Sequence, residues 1–243
     1  MFIGVPFERM KIFKKKGRLM KKGFWIGLSI LFGLLIVLSS VAQEGVLWVD
    51  KFSEGKVVND VPAGWKLEKK TGDPELKVQQ SGGDSFVRFR SDNSSFGLKK
   101  EMDFDIKDYP YLNWRWKVTR LPEKGDFLKK DTDDQAAQVY VLFPRFPAKL
   151  NTEIVGYLWE SNPKNKGREG ESPAWSKSKV IVLQAGPEKL NQWVQEKRNV
   201  YEDYKKLFKK EPPKSGGIAL YINTQHTQGK AESYFGPIYF SKN

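Results

Sequence analysis

The stretch "YLNWRWKV", residues 111–118, decides the fold assignment because it holds two tryptophans two positions apart. In a β-strand, successive side chains point to opposite faces, so residues two apart share a face. One face of this strand therefore carries Leu112, Trp114, Trp116 and Val118, and the other carries Tyr111, Asn113, Arg115 and Lys117. An apolar face with two tryptophans is typical of the buried side of a sheet. We predict that the tryptophans lie in a core and that Arg115 points away from it.

The next strand pattern along the chain, "AAQVYVLF" at residues 136–143, has the same two-sided character. Its apolar face carries Ala137, Val139, Val141 and Phe143, and its other face carries Gln138, Tyr140 and Leu142. If the two strands are neighbours, one groove is lined by Asn113, Arg115, Gln138 and Tyr140. Such a groove suits a hydroxyl-rich or acidic ligand.

Similar short patterns recur along most of the chain and are separated by clusters of Gly, Pro, Asp and Ser. The predicted strands are 46–50, 66–68, 76–79, 86–90, 96–101, 112–118, 136–143, 154–159, 179–184, 217–222 and 234–240. One short covering helix is predicted at about 199–211, with Asn199 as its cap and Pro212 after it. A polar stretch at 161–178 has no predicted element. This pattern predicts an all-β fold, a β-sandwich or jelly roll of antiparallel sheets.

Residues 1–42 do not have the pattern of a folded domain. From Met20 the chain has two lysines, an apolar run from Phe24 and the small residues Ser40-Val41-Ala42, which is the layout of a signal peptide preceded by an extension. The alternative is an uncleaved membrane anchor, because the segment from Phe24 to Ala42 is just long enough to span a bilayer with little tilt. We therefore predict export to the periplasm or the exterior, or else anchoring in the inner membrane. The remaining residues, 43–243, are predicted to form one domain.

The N-terminal segment also accounts for much of the formal net charge of +13. Residues 1–42 contain eight Lys or Arg and one acid, which leaves 34 basic and 28 acidic residues in the rest of the chain. The signs are interspersed there, so a nucleic acid is not an expected partner, and the membrane is expected to be contacted only through an uncleaved N-terminal segment. The chain has no cysteine, which excludes disulfides, thiolate nucleophiles and cysteine-bound metals.

Carboxylates are the main candidates for chemistry, because His226 is the only histidine and no phosphate-binding glycine loop is present. If the protein is an enzyme, its acid and base are Asp133, Asp134 and Glu160, in the manner of a glycosidase. An alternative role for Asp131, Asp133 and Asp134 is binding of a calcium ion, although the full calcium-loop signature is missing. The simplest alternative is a solvated turn before a strand. No other cofactor is indicated.

Five segments resemble, in this order, a bacterial family, the domain of unknown function 3047: "YPYLNWRWKV", "DTDDQAAQVYVLF", "YLWE", "RNVYEDYKKLF" and "GGIALYINTQHTQGKAESYFGPIYF". The resemblance covers roughly residues 46–240 and implies no established activity. In that family the penultimate segment usually has the pattern Asp-x-Asp-x-Thr, whereas this chain has Asn223-Thr224-Gln225-His226-Thr227. The absence of both acids weakens any metal or acid–base role for this turn.

The two ends of the chain, "LWVDKFSEG" and "AESYFGPIYF", resemble the first and last strands of galactose-binding-like jelly rolls, the fold of many carbohydrate-binding modules. This resemblance implies that exposed aromatic side chains contact a ligand, and the candidates are Tyr157, Trp159 and Trp175. The full set of predicted ligand-binding residues is Asn113, Arg115, Asp134, Gln138, Tyr140, Tyr157, Trp159, Asn223 and Gln225.

The sequence thus leaves three functions open. The first is an exported, non-catalytic β-sandwich that binds carbohydrate or a cell-envelope polymer. The second is an enzyme that acts on polysaccharide through an Asp/Glu acid–base pair. The third is a structural envelope protein held by an N-terminal anchor.

Overall fold

The computed structural model describes residues 45–53, 57 and 60–243. The strands within these residues are β1 Val46–Asp50, β2 Lys66–Thr71, β3 Glu75–Ser81, β4 Asp84–Asp92, β5 Ser95–Phe104, β6 Tyr111–Arg120, β7 Ala137–Phe143, β8 Glu153–Glu160, β9 Glu169–Ser172, β10 Trp175–Ala185, β11 Val194–Asn199, β12 Ser215–Asn223 and β13 Lys230–Ser241. The α-helices of the same part are α1 Ala148–Asn151 and α2 Val200–Phe208, and two 3-10 turns lie at Lys130–Thr132 and Pro163–Asn165.

The strands form two sheets. The six-stranded sheet has the order β11-β6-β13-β4-β3, and β1 pairs with the last residues of β13. The seven-stranded sheet has the order β2-β5-β12-β7-β8-β10-β9. Paired strands are antiparallel except for β8 and β10, which run parallel. The predicted β-sandwich is confirmed, and this one parallel pair makes the seven-stranded sheet mixed.

The core lies between the two sheets, and the tryptophans of β6 form its centre. Trp114 and Trp116 are fully buried, as predicted from their alternation with Arg115. Trp114 contacts Tyr157 of the opposite sheet with ring centroids 5.3 Å apart, and Trp116 contacts Trp159 at 5.7 Å. Aromatic pairs at such separations add stability beyond the burial of their apolar area. In a chain without disulfides, this aromatic layer is a main source of cohesion.

Helix α2 covers one end of the sandwich, close to the predicted range. It begins after Asn199, whose side chain accepts a hydrogen bond from the backbone N–H of Glu202 at 3.1 Å. It ends at Lys209, which has a left-handed backbone with φ of 56°. Tyr204 of the helix packs on Phe143, with ring centroids 4.7 Å apart. The helix therefore closes the core where β7 ends.

Two strands were not predicted from the sequence. β9 lies within the polar stretch 161–178 and pairs with β10. β11 pairs with β6 and is the edge strand of the six-stranded sheet. Both strands are rich in polar residues because they lie at sheet edges, so they lack the apolar alternation on which the prediction depended.

The predicted signal peptide or membrane anchor at residues 1–42 lies outside the described residues. None of the helices formed by the described residues has the length and apolar character needed to cross a bilayer.

Candidate functional site

The outer face of the seven-stranded sheet carries two tyrosines side by side. Tyr140 on β7 and Tyr221 on β12 point away from the core, because Val139 and Leu220 beside them point into it and are fully buried. The two tyrosine rings lie 5.7 Å apart between centroids. They form the floor of a depression on this face.

Two glycines leave room for these rings above the neighbouring strands. Gly97 of β5 is opposite Tyr221, and Gly156 of β8 is opposite Tyr140. A Cβ atom at Gly97 would lie 2.6 Å from the Tyr221 ring, and one at Gly156 would lie 2.6 Å from the Tyr140 ring. Any larger residue would therefore displace the ring, so the position of both rings depends on these glycines.

The depression extends into a groove made of two adjoining cavities of about 770 and 470 Å³. Both cavities are lined by Lys99, Leu142, Ala148 and Thr152, which makes them continuous. Gly216 and Tyr221, five positions apart on β12, line opposite parts of the groove. At a rise of ~3.3 Å per residue, this portion of the groove is roughly 17 Å long.

The two walls of the groove differ in character. Strands β2 and β5 supply charged side chains, namely Glu68, Lys70 and Lys99. The opposite wall consists of α1 and the indole ring of Trp175, which is 38% exposed. The indole N–H of Trp175 donates to the carbonyl of Thr152 at 3.2 Å, and this bond holds the ring at the rim. The groove thus combines an aromatic rim and floor with a charged wall.

A network of polar side chains continues from the floor along β7 and β12. The Tyr140 hydroxyl donates to Gln138, the Gln138 amide donates to Asn223, and the Asn223 amide donates to Asp134 Oδ1 at 3.1 Å. Asp134 is fully buried and also accepts the backbone N–H groups of His226 at 3.2 Å and of Thr227 at 2.6 Å. Because each group is held by the next, the donors and acceptors at this end of the groove have fixed orientations.

Burial controls the ionisation of the groups around the floor. It raises the pKa values of Tyr140 and Tyr221, so both phenols stay protonated even at alkaline pH. The Tyr221 hydroxyl donates to Glu68. Burial also raises the pKa of Asp133, against the opposite effect of a 2.9 Å hydrogen bond from Gln135.

Four of the residues predicted from the sequence are brought together here: Asp134, Gln138, Tyr140 and Asn223. A fifth, Gln225, lies in the turn that follows β12, and its amide nitrogen is 3.2 Å from Nε2 of His226. The prediction missed Tyr221 and Lys99. Alternation on β12 contains a signal for Tyr221, because Ile218, Leu220 and Ile222 occupy the core face and leave Tyr221 on the outer one.

The predicted groove shared by β6 and β7 is wrong. These strands are successive in sequence but belong to different sheets, so Asn113 and Arg115 face the opposite side of the molecule from Gln138 and Tyr140. Asn113 donates to Ser241 at 2.9 Å. Arg115 lies 2.9 Å from a carboxylate oxygen of Asp84 and above the ring of Trp193 at 4.8 Å. The segment between the strands crosses from one sheet to the other, which local alternation does not reveal.

The expectation that Tyr157 and Trp159 are exposed is also wrong. Both lie on the inner face of β8, are fully buried and contact the tryptophans of β6. Of the aromatic candidates near the 161–178 stretch, Trp175 alone lines the groove.

The candidate carboxylates have separate environments. Asp131 is exposed on a 3-10 turn, whereas Asp134 is buried and bonded to backbone amides. Glu160 is fully buried and accepts the backbone N–H of Phe127 at 3.3 Å. Burial raises the pKa of Glu160 to about 7. In the part of the chain that the structure describes, no three His, Asp or Glu side chains converge in a way that could hold a metal ion, so the three aspartates considered for calcium do not form a site there.

The fold and the groove together define a β-sandwich with a cleft across one outer sheet face. The sequence matches the model of the family described as "Protein of unknown function (DUF3047)" over residues 63–239, and the chain belongs to this family. No curated protein matches the sequence.

Several solved structures share the β-sandwich architecture at low identity. A family 30 carbohydrate-binding module has 11% identity and a TM-score of 0.45, with 82% of this chain and 99% of that chain covered. The CBM22-1 xylan-binding domain of Paenibacillus barcinonensis Xyn10C has 10% identity and a TM-score of 0.35, with coverage of 81% and 91%. The family 11 xylanase from Neocallimastix patriciarum has 13% identity and a TM-score of 0.37, with coverage of 82% and 96%. These likenesses concern the fold alone.

Proposed function

We propose that this protein binds carbohydrate in the groove of the seven-stranded sheet. A sugar ring has faces of C–H groups and a rim of hydroxyl groups, so it needs both apolar surface and oriented polar groups. The groove offers the rings of Tyr140, Tyr221 and Trp175 beside the network that contains Gln138 and Asn223. Sites of this kind bind through apolar area and obtain specificity from a few fixed polar groups.

The observation that carries the proposal is the pair of tyrosine rings on the floor of an open groove. Closed pockets suit small molecules, whereas a groove roughly 17 Å long on a sheet face leaves room for a chain to continue at both ends. The glycines beside the two tyrosine rings support this, because a side chain at either position would clash with a ring of the floor. The favoured ligand is therefore a polysaccharide segment.

The cellular setting is proposed from the sequence of residues 1–42. A signal peptide there would deliver the domain to the periplasm or the exterior, where envelope polymers are accessible. Mass spectrometry of the mature N-terminus tests this: a chain that begins at Gln43 supports export with cleavage, and an intact N-terminal segment supports an anchored envelope protein.

Retention on immobilised polysaccharides, measured by affinity electrophoresis, tests binding. The informative variant is Trp175→Ala, because its ring is at the groove rim. Trp48→Ala is a matched control, since Trp48 is 39% exposed but lies on β1 in the other sheet. We expect Trp175→Ala to weaken binding by about tenfold, equivalent to ~1.4 kcal/mol, and Trp48→Ala to leave it unchanged. Equal effects of the two variants, or no retention on any polysaccharide, would refute the proposal.

The second candidate, a polysaccharide-acting enzyme, is favoured by one observation. The pKa of Glu160, at about 7, is in the range that suits a general acid, although its side chain is fully buried and lines neither cavity of the groove. Release of reducing ends in the same polysaccharide samples tests this function. Release that disappears in Glu160→Gln supports catalysis, whereas no release while binding persists contradicts it.

A further inference from the structure

The groove is lined by four lysines that have no ion-pair partner among the described residues. They are Lys70, Lys99, Lys149 and Lys214. By contrast, other surface lysines of the same domain do form ion pairs, such as Lys66 with Glu101 at 3.0 Å and Lys230 with Asp92 at 2.6 Å. Other lysines of the domain, such as Lys77 and Lys189, are also unpaired among the described residues, so the distinguishing feature of these four is that they line one groove.

These four lysines are distributed along the groove and across both walls. Lys70 on β2 and Lys99 on β5 belong to one wall, and Lys149 on α1 belongs to the other. Lys214, just before β12, lines the far end. Lys99 lines both cavities and thus lies near the middle. A chain in the groove would meet a positive charge at several points rather than at one end.

The carboxylates of the groove cancel only part of this charge. Glu68 accepts the hydroxyl of Tyr221, and Glu101 is paired with Lys66, which is not a lining residue. Asp103 is the one lining acid among the described residues without such a bond. Glu101 is thus neutralised by Lys66, whereas Glu68 keeps its negative charge because its donor is a neutral hydroxyl. None of the four lysines has a carboxylate partner among the described residues, and the Lys70 ammonium lies over the Tyr221 ring, 4.8 Å from its centroid.

We propose that the groove selects polysaccharides that carry carboxylates along the chain, such as polymers of uronic acids. This inference rests on the proposed carbohydrate binding and specifies its ligand class. The neutral parts of each sugar contact the aromatic floor, and the carboxylates lie near the lysine ammonium groups. Lysine is suited to this because its flexible stem adjusts to different carboxylate positions. Several such exposed contacts are individually weak and sum along the polymer.

A matched pair of ligands separates charge from sugar shape. Polygalacturonate, alginate and glucuronoxylan can each be compared with the same polymer after its carboxyl groups are reduced to alcohols, which leaves the backbone unchanged. We expect the full-length protein to bind at least one acidic polymer about tenfold more tightly than its reduced form at ~50 mM salt, and the difference to shrink at ~500 mM as screening increases.

Lysine variants test whether the preference for the acidic polymer arises in the groove. Lys99→Gln combined with Lys149→Gln is expected to lower affinity for the acidic polymer about tenfold and to change affinity for the reduced polymer little. The control combines Lys77→Gln with Lys189→Gln, two exposed lysines outside the groove, and removes the same net charge.

The outcomes distinguish this inference from the function on which it rests. Equal binding of acidic and reduced polymers, with loss in Trp175→Ala, overturns the charge selectivity and leaves carbohydrate binding intact. An equal loss in the groove and control variants also overturns it, because the attraction would then be non-specific. No binding to either form of any polymer overturns the proposed function itself.

Discussion

Glu160 makes the stability of this protein depend on pH in a direction opposite to that of a surface carboxylate in an ion pair. Its side chain is fully buried at the end of β8 beneath Phe127. Burial is the largest influence on its pKa, and it outweighs the hydrogen bonds from the backbone N–H groups of Asn162 and Phe127. The informative perturbation is Glu160→Gln, which keeps the shape and removes the titration.

The magnitude follows from the difference between the two states. The pKa of Glu160 is about 7 in the folded protein against an ordinary value of 4.5. Between these values the folded state holds a proton that the unfolded state has released, so the free energy of unfolding falls as pH rises through this window. At ~1.4 kcal/mol for each pH unit, the loss is about 3 kcal/mol between pH 4.5 and 7.

Urea unfolding followed by tryptophan fluorescence at pH 5, 6, 7 and 8 measures this loss. We expect the stability of Glu160→Gln relative to wild type to increase by about 2–3 kcal/mol from pH 5 to pH 8. Any effect of the substitution that does not vary with pH, such as the cost of an unpaired amide, cancels when the stability differences at pH 5 and pH 8 are compared. Asp133 and Glu196, whose pKa values are also raised by burial, are present in both proteins and cancel as well.

Glu188→Gln is the control, because it removes an acid from the exposed surface. A difference between Glu160→Gln and wild type that stays within about 0.5 kcal/mol from pH 5 to pH 8 would refute the argument that burial controls this carboxyl.

Two further predictions concern the core and the groove floor. Trp114→Ala is expected to lower the free energy of unfolding by about 3–5 kcal/mol, and Trp114→Phe by about 1–2 kcal/mol, because phenylalanine keeps an aromatic ring and removes an indole N–H that has no partner among the described residues. Equal losses in denaturant unfolding would contradict this. Gly156→Val places a side chain within 2.6 Å of the Tyr140 ring. It should cost about 1–3 kcal/mol and weaken polysaccharide retention, and unchanged retention would show that the tyrosine floor is not used.

Alternation along single strands was a reliable guide to which side chains are buried. Trp114 and Trp116 share a face by backbone geometry, and both are in the core. The same rule placed Gln138 and Tyr140 on an outer face, where they join the polar network. The rule also holds for Tyr157 and Trp159, which the alternation of β8 places in the core. The prediction that they are exposed is wrong because it relied on their position before the polar stretch 161–178 instead of on this alternation.

The composition of the groove was less predictable, because its walls come from distant parts of the sequence. Lys70, Lys149 and Lys214 are separated by more than sixty positions each and look like ordinary solvated lysines in isolation. They indicate a positively charged site only because the fold places them along one groove, where they have no ion-pair partner among the described residues.

The sequence by itself determined that this chain forms a β-sandwich, that the tryptophans of "YLNWRWKV" are buried and that Arg115 points away from them, because these features depend on local backbone geometry and apolar alternation. Tertiary structure alone decided that Arg115 and Tyr140 face opposite sides of the molecule. Neighbouring strands in a sandwich are chosen by how the two sheets pack and by where the chain crosses between them. That choice is a property of the whole chain, and it placed the groove on the seven-stranded sheet.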